Sequence, residues 1–368
     1  MSRRTELPPP AEQVRRIGCL MLNGVGDILC TTPALEALKD RYPSARLVMM
    51  VRPHLRDLVE SNPAVDEVLC FGSGSLRERV AFVRGLRRQR LDLWVDLHAP
   101  TFNTVTGNTR HFLRNALLMR WSGARFRRAY ASGPLRRHLT HPLPHPTQTE
   151  LREMNLVDLT LPLAWPQPGR IYRKRLTLTA QDREWARRAL PARGRYIGLY
   201  FGSRQPAKLW PAASAARLAS MLLARLGEAE LVLLGDATDA PRAGALAGEL
   251  GEAARRRMHD FTGRASFGQT GALMERCDAL VSTDSGPMHI GDAVGVPMVA
   301  LFSSHNYPAV WRPMNGKASV IFHEIECGPC WLTSCPIGNR CMANITPEEV
   351  FEALLQRLGG SEAMRLRT

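Results

Sequence analysis

The sequence predicts an α/β chain made of two doubly wound parallel sheets. Three observations predict it. Short apolar runs ending in Gly, Asn or Asp alternate with stretches of helical spacing. The alternation starts twice, near Arg16 and again near Tyr196. The length, 368 residues, gives room for two domains at roughly 150 residues each.

In the first half, Arg16 to Leu22 is a short apolar run ending at Asn23-Gly24, as a buried parallel strand should. Thr32 to Arg41 has helical spacing, with Ala34, Leu35 and Leu38 on one face and Pro33 near its start. Arg46 to Val51 is the second strand, Arg52 to Asn62 a helix, Val65 to Cys70 the third strand and Leu91 to Leu97 the fourth. The Pro- and His-rich stretch from Ala129 to Gln167 breaks the rhythm, and Leu176 to Leu178 restores an extended run. In the second half, strands are expected at Tyr196 to Phe201, Leu231 to Leu234, Ala279 to Val281 and Met298 to Phe302. Helices are expected at Ala212 to Leu226 and Ala240 to Glu249. The expected domains are residues 14–170 and 171–368, with the last helix a candidate to pack back on the first domain. Ligands of such sheets bind beyond the carboxyl ends of the strands, so the cleft between the halves is the expected site.

Composition bounds the partners. A hydrophobic fraction of 45% lets each half bury a core. The net charge of +15 favours polyanions such as nucleic acid, anionic lipid headgroups or phosphorylated sugars. A solvated Arg-rich surface is the plainer alternative. Aromatic residues are only 7% and the basic clusters at Arg84 to Arg90, Arg110 to Arg137 and Arg255 to Arg257 show no RNA-binding motif of interleaved Phe or Tyr, which argues against a nucleic-acid module. The apolar runs fall short of the roughly 18 residues a spanning helix needs. Met1 to Gln13 is polar and Pro-rich, a tail rather than a secretory signal, so a cytoplasmic protein is expected, held by charge to a membrane face. Cys19, Cys30, Cys70 and Cys277 lie in apolar contexts and read as reduced core residues.

Five motifs carry candidate chemistry. Asn23-Gly24-Val25-Gly26-Asp27 sits between the first strand and helix. Gly24 and Gly26 would permit a tight turn with open N–H groups, and Leu29 where a third Gly is needed rules out a dinucleotide fingerprint. Asp27 is either a carboxylate facing the cleft or a first-turn helix acid. Thr283-Asp284-Ser285-Gly286-Pro287-Met288-His289 follows a strand and opens a helix, an anion cradle of hydroxyls and N–H groups with Pro287 at the first helical position. His289 either reaches the same anion or is a hydrogen-bonded, half-buried imidazole. Gly202-Ser203 leads to Lys208-Leu209-Trp210-Pro211, where Lys208 meets a phosphate as a point charge or is simply solvated. Asp236 and Asp239 follow a strand and are equal candidates for ribose hydroxyls or for capping. Cys327, Cys330, Cys335 and Cys341 lie within fifteen residues; a structural zinc competes with reduced thiols or conditional disulfides, and the spacing is compressed for a zinc ribbon.

In order and spacing these motifs resemble glycosyltransferase family 9, the ADP-heptose:lipopolysaccharide heptosyltransferases, over residues 15 to 355. The resemblance rests on Gly26-Asp27 leading to Pro33-Ala34-Leu35 and Tyr42-Pro43, on Lys208-x-Trp210-Pro211, on Thr283 to His289 followed by Gly295-Val296-Pro297, and on Trp311-Arg312-Pro313. The grouped cysteines and Ile345-Thr346-Pro347 also look like the tail of many members. It implies a GT-B fold of two Rossmann-like domains facing across a cleft, an acceptor domain and a nucleotide-sugar domain. It implies an inverting glycosyltransferase with Asp27 as general base, donor contacts from Ser203, Lys208, Asp236 or Asp239, Asp284, Ser285, Gly286, Met288 and His289, and no required cofactor or divalent metal. Asp92 to Asp96 lies on a strand with the wrong spacing for a metal-binding D-x-D. The implied donor is ADP-heptose, and the acceptor a lipopolysaccharide core or lipid-linked glycan at the inner face of the bacterial inner membrane. Two departures stand out: Gly202-Ser203-Arg204-Gln205 lacks the usual hydroxyl-rich stretch, and Ala129 to Gln167 matches no single heptosyltransferase type. A GT-B sugar-nucleotide epimerase and a non-catalytic, basic lipopolysaccharide-binding module are the competing readings.

Overall fold

The computed structural model describes residues 7–72, 74–100, 109–191 and 194–359, the side chains of 109–111 and 134 aside. The start of the N-terminal tail, the Arg110 side chain and residues 360–368 lie outside them. The chain divides into two compact units, Met1–Thr177 and Leu178–Thr368.

The first unit carries strands β1 (Arg16–Leu20), β2 (Arg46–Val51), β3 (Glu67–Cys70), β4 (Leu93–Asp96), β5 (Phe126–Tyr130) and β6 (His141–Leu143). Their order is β3-β2-β1-β4-β5-β6, every pair parallel. Its long helices are α1 (Val25–Arg41), α2 (Leu76–Arg88) and α3 (Thr109–Ser122). The second unit carries β7 (Arg195–Tyr200), β8 (Ala229–Leu233), β9 (Met258–Asp260), β10 (Ala279–Thr283), β11 (Met298–Phe302) and β12 (Ala318–Phe322). It repeats the first order, β9-β8-β7-β10-β11-β12, again all parallel. Its helices of eight residues or more are α4 (Ala180–Ala189), α5 (Ala212–Arg225), α6 (Ala240–Glu249), α7 (Phe267–Glu275), α8 (Gly286–Val294) and α9 (Pro347–Leu358). Each order is the doubly wound one, in which the winding direction reverses beside the first strand. The crevices are therefore fixed: between β1 and β4, and between β7 and β10.

Several expectations need correction. α1 begins at Val25, not Thr32, so Pro33 lies inside it. Proline has no N–H to give the carbonyl one turn back, which here is that of Leu29. The Thr32 hydroxyl donates to that oxygen instead, at 2.8 Å, and the helix continues. Arg52 to Asn62 is not an α-helix; Pro53–Leu58 forms a 3-10 helix. The stretch from Ala129 extends the sheet rather than ending it. β6 contains Pro142 and survives because it is an edge strand, where a missing donor costs no ladder bond.

Buried side chains explain the layers. Leu20, Val48, Met50 and Trp94 on the first sheet pack against Phe82 and Leu86 of α2 and Ala116 and Met119 of α3. In the second unit, Leu199, Leu231, Val281 and Leu301 meet Leu218 and Leu222 of α5 and Val350, Phe351 and Leu354 of α9. α9 thus packs on α5 and the strands of its own unit. Cys19, Cys30 and Cys277 are buried as expected of core thiols, and Cys70 is half-buried. Among the described residues no helix is long and apolar enough to cross a membrane.

Candidate active site

In the first unit the turn after β1 carries Asp27. Gly24 is the N-cap of α1 and has no side chain to cap with. Asp27 supplies the missing acceptor: its Oδ2 accepts the Gly24 N–H at 3.1 Å, and its Oδ1 accepts from Asn23 Nδ2 at 3.2 Å. The capping role is therefore real. It does not exhaust the group, because burial pushes the Asp27 carboxyl above its usual value despite those bonds and the nearby His98. A half-buried carboxylate with a raised pKa is a better proton acceptor than a solvated one. Gly24 has an ordinary extended backbone, and neither it nor Gly26 has positive φ. Neither glycine is thus held in a left-handed backbone, and the Gly24 N–H is already taken by Asp27.

Across the same crevice, the exit of β4 presents a polar network whose residues form no sequence motif. Asp96, 2% exposed, lies 2.5 Å from His98 Nδ1 and accepts from Asn115 Nδ2 of α3 at 2.9 Å. His98 Nε2 lies 3.1 Å from the Leu22 N–H. That N–H can only donate, so Nε2 is the acceptor and the ring proton sits on Nδ1, facing Asp96. The imidazole thus ties the β1 turn, one residue before Asn23, to β4. A hollow of about 110 Å³ opens here, lined by Asn23, Asp96, His98, Asn115 and Ser132 among apolar walls. Among the described residues the buried Ser132 hydroxyl has no hydrogen-bond partner. Asp92, by contrast, only secures the chain start by accepting the Arg15 and Arg16 N–H groups.

In the second unit, the turns after β7 and β10 come together. Lys208 Nζ lies 2.7 Å from Asp284 Oδ2, with the side chains only 13% and 3% exposed. The solvated alternative for Lys208 is excluded. Asn306 Nδ2, from the exit of β11, donates to the same Asp284 oxygen at 3.2 Å. Burial, and then the Lys208 charge, hold His305 below its ordinary value. Among the described residues the buried Asn306 Oδ1 has no hydrogen-bond partner, while Ser285 interacts with the Tyr200 hydroxyl and His305 with the Leu332 backbone. Ser285 occupies the N-cap of α8, with Gly286 and Pro287 opening the helix. A buried lysine beside a helix N-terminus suits a polar anion.

Other expected donor contacts divide. The Thr283 hydroxyl is committed to the Gly202 carbonyl at 2.7 Å. The Met288 side chain is wholly buried, so only its backbone N–H in the first turn of α8 remains a candidate. His289 is buried and meets Trp311 edge-on at 5.9 Å. Ser203 Oγ accepts the Gln205 N–H and shapes its own turn. Asp236 is exposed and accepts from Thr238 N–H at 2.8 Å. Asp239 is buried and lies against the exit of β7, since a methyl added to Gly202 would stand 2.0 Å from its Oδ1. Burial raises its carboxyl above the ordinary value.

The cysteine segment serves these loops by its backbone. The Cys330 and Trp331 N–H groups donate to the Ser304 and His305 carbonyls, and Thr333 accepts from the Ala207 N–H. Asn339 Nδ2 donates to the Pro206 carbonyl at 2.7 Å. The segment therefore braces both the Lys208 turn and the His305 turn. All four cysteines are free thiols. Among the described residues no group of three or more His, Cys, Asp or Glu side chains could hold a metal ion.

The chain is similar to lipopolysaccharide heptosyltransferase 2 of Salmonella typhimurium, 28% identical over 90% of this chain and 94% of the relative. Its fold matches a solved ADP-heptose lipopolysaccharide heptosyltransferase II of E. coli at a TM-score of 0.77 and 23% identity, covering 94% and 99% of the two chains. A family 9 glycosyltransferase structure from Veillonella parvula matches at a TM-score of 0.77 and 22% identity, over 94% and 97%. The profile of glycosyltransferase family 9 (heptosyltransferase) matches residues 108–340, more than half of the sequence, and the chain belongs to that family.

Proposed function

We propose that this glycosyltransferase moves a heptose from ADP-heptose onto a lipopolysaccharide core, with inversion at the anomeric carbon. The observation that carries the reading is the buried Lys208–Asp284 pair beside the N-terminus of α8, with Ser285 at its N-cap. A diphosphate leaving group needs such a place. Lys208 would meet the growing phosphate charge, and Ser285 with the first N–H groups of α8 would complete the anion contacts. Asp239, packed against the β7 exit, is better placed than the solvated Asp236 to accept from ribose hydroxyls. Asp284, held by Lys208 and Asn306, would orient the lysine and meet sugar hydroxyls.

In the first unit Asp27 is the general base. The acceptor oxygen forms its bond to the anomeric carbon while the bond from that carbon to the β-phosphate oxygen breaks. The hydroxyl proton passes to Asp27, and ADP leaves with the electron pair. The hydroxyl becomes acidic only as its new bond forms, so position matters more than resting pKa. His98 acts through the turn that carries Asn23 and Asp27 and is a positioning residue. The donor class and acceptor are supported by what the relatives' names state of those proteins. An acceptor anchored in lipid, together with the +15 charge, supports work at the cytoplasmic face of the inner membrane. The epimerase and the non-catalytic module lose ground to the family assignment.

The test is to incubate the protein with ADP-heptose and a heptose-deficient lipopolysaccharide core. ADP release that requires both substrates is expected. Alteration of the nucleotide sugar without acceptor would mean epimerisation, and no turnover with any nucleotide sugar of a panel would overturn the reading.

A further inference from the structure

Two neighbouring helices of the first unit leave apolar side chains in solvent. On α3, Leu113, Leu117 and Trp121 recur at intervals of four, so they share one side, and they are 55%, 41% and 40% exposed. The opposite side of the helix, with Asn115, Leu118, Met119 and Ser122, is buried. α2 packs beside α3 and exposes Leu76 and Val80, also four apart, at 77% and 41%. Five of the eleven large exposed hydrophobics among the described residues therefore fall on two adjacent helices. Scattered surface apolar residues need no explanation, but a grouped set does.

The charge around the stripe selects what covers it. Residues 76–88 and 112–125 contain eight arginines, from Arg77 to Arg125, and one acid, Glu78. A second copy of this chain laid face to face would oppose like charges, whereas an anionic bilayer offers phosphates to the arginines and a hydrocarbon boundary to the leucines. Trp121 ends the stripe, and indole rings favour the level of the headgroups.

We propose that α2 and α3 form the surface by which the enzyme docks on an anionic lipid bilayer, with Leu113, Leu117 and Trp121 entering the headgroup boundary. This rests on the membrane-face part of the proposed function and assigns the residues that perform it. The full chain would be co-sedimented with phosphatidylcholine vesicles and with vesicles one-third phosphatidylglycerol, at low and high salt. Wild type is expected to bind only the anionic vesicles and to be released by salt. Replacing the stripe (Leu113→Ser, Leu117→Ser and Trp121→Ser together) is expected to weaken binding at least about tenfold, with the fold retained and only a modest fall in melting, since the side chains are about half exposed and serine is a weaker helix former than leucine. Arg87→Glu with Arg88→Glu should also weaken binding and flatten its salt dependence.

Stripe and charge variants that bind like wild type would refute the surface while leaving membrane attachment standing. A wild type that binds neither vesicle would remove the attachment itself. A wild-type dimer on gel filtration that the stripe variant dissociates would mean a second copy covers the stripe, which also overturns the proposal. Acceptor-dependent ADP release is measured separately, so failure here and failure of the transferase reading are told apart.

Discussion

Replacing Lys208 by alanine tests the donor site most directly, because the lysine has two separable roles. It neutralises Asp284, which is 3% exposed, at 2.7 Å, and it is proposed to meet the diphosphate. Stranding a buried carboxylate costs about 3–5 kcal/mol. Asn306 still donates to the same oxygen at 3.2 Å, and a hydrogen bond to a charge returns about 1–2 kcal/mol. A net loss of about 1–4 kcal/mol remains, or roughly 2–16 °C in the melting of a unit this size. The double variant Lys208→Ala with Asp284→Asn removes the stranded charge and should recover more than half of that loss. ADP affinity, followed by calorimetry, should behave otherwise: at least about tenfold weaker in the single variant and still weak in the double, because no cation is left for the phosphates. Melting of the single variant within about 2 °C of wild type would refute the buried-pair argument. Nucleotide affinity that recovered along with melting in the double variant would reduce Lys208 to a structural role.

The remaining predictions concern Asp27, His98 and Gly202. Asp27→Asn should cut kcat at least about a hundredfold while leaving donor affinity near normal; near-normal turnover would remove Asp27 as the base. The carboxyl has a raised pKa in the folded state, so the folded protein holds its proton to higher pH than the unfolded chain. Stability contributed by that bound proton is lost as pH rises through the raised value. Asp27→Asn should therefore melt above wild type at neutral pH, with the gap closing as pH falls through the ordinary Asp range near about 4; a gap that widened on acidification would contradict the sign. His98→Ala frees the Leu22 N–H and leaves Asp96 with Asn115 and the backbone N–H of position 98, so kcat should fall about tenfold at unchanged donor KM, and melting by a few degrees for about 1–3 kcal/mol. Turnover within twofold of wild type would make the tether idle. Gly202→Ala forces a methyl to within 2.0 Å of Asp239 Oδ1 and should weaken ADP binding by displacing that carboxylate; unchanged affinity would count against Asp239 as a ribose contact.

Strand positions are legible because a buried parallel strand is a continuous apolar run, and Leu47 to Val51 or Met298 to Phe302 has no polar residue to blur its edges. The edge strands are not. β6 and β9 are three residues long and contain His141, Pro142, His259 and Asp260; their pairing is dictated by the neighbouring strand, not by their own pattern. α1 was cut short because Pro33 looks like a start signal, and only the Thr32 hydroxyl bonded to the Leu29 carbonyl shows how the helix passes through it. Motif loops announced Asp27, Lys208, Asp284 and Ser285. Asp96, His98, His305 and Asn306 carry no local signature. Their signal is positional: Asp96 lies near the carboxyl end of an expected strand and His98, His305 and Asn306 follow the ends of theirs, where an α/β sheet places its ligands.

That positional signal becomes a rule once the two sheets are superposed in order. β1 and β7 are the first strands of identical windings, and β4 and β10 are their partners at the reversal. Asp27 follows β1 and Lys208 follows β7; His98 follows β4 and Asp284 follows β10. In both units a residue from the first turn is held by a buried or half-buried group on the fourth strand's exit: Leu22, and through it the Asn23–Asp27 turn, by His98, and Lys208 by Asp284. The physical cause is shared. Helices leave these strands in opposite directions, so their turns part and leave two sets of unsatisfied groups facing one gap. A side chain that bridges the gap fixes both turns at once. Mutating the bridge should thus loosen the reacting group without touching it, which is why His98→Ala and Asp284→Asn are expected to act on turnover and nucleotide affinity respectively, and why an effect confined to melting in both would break the parallel.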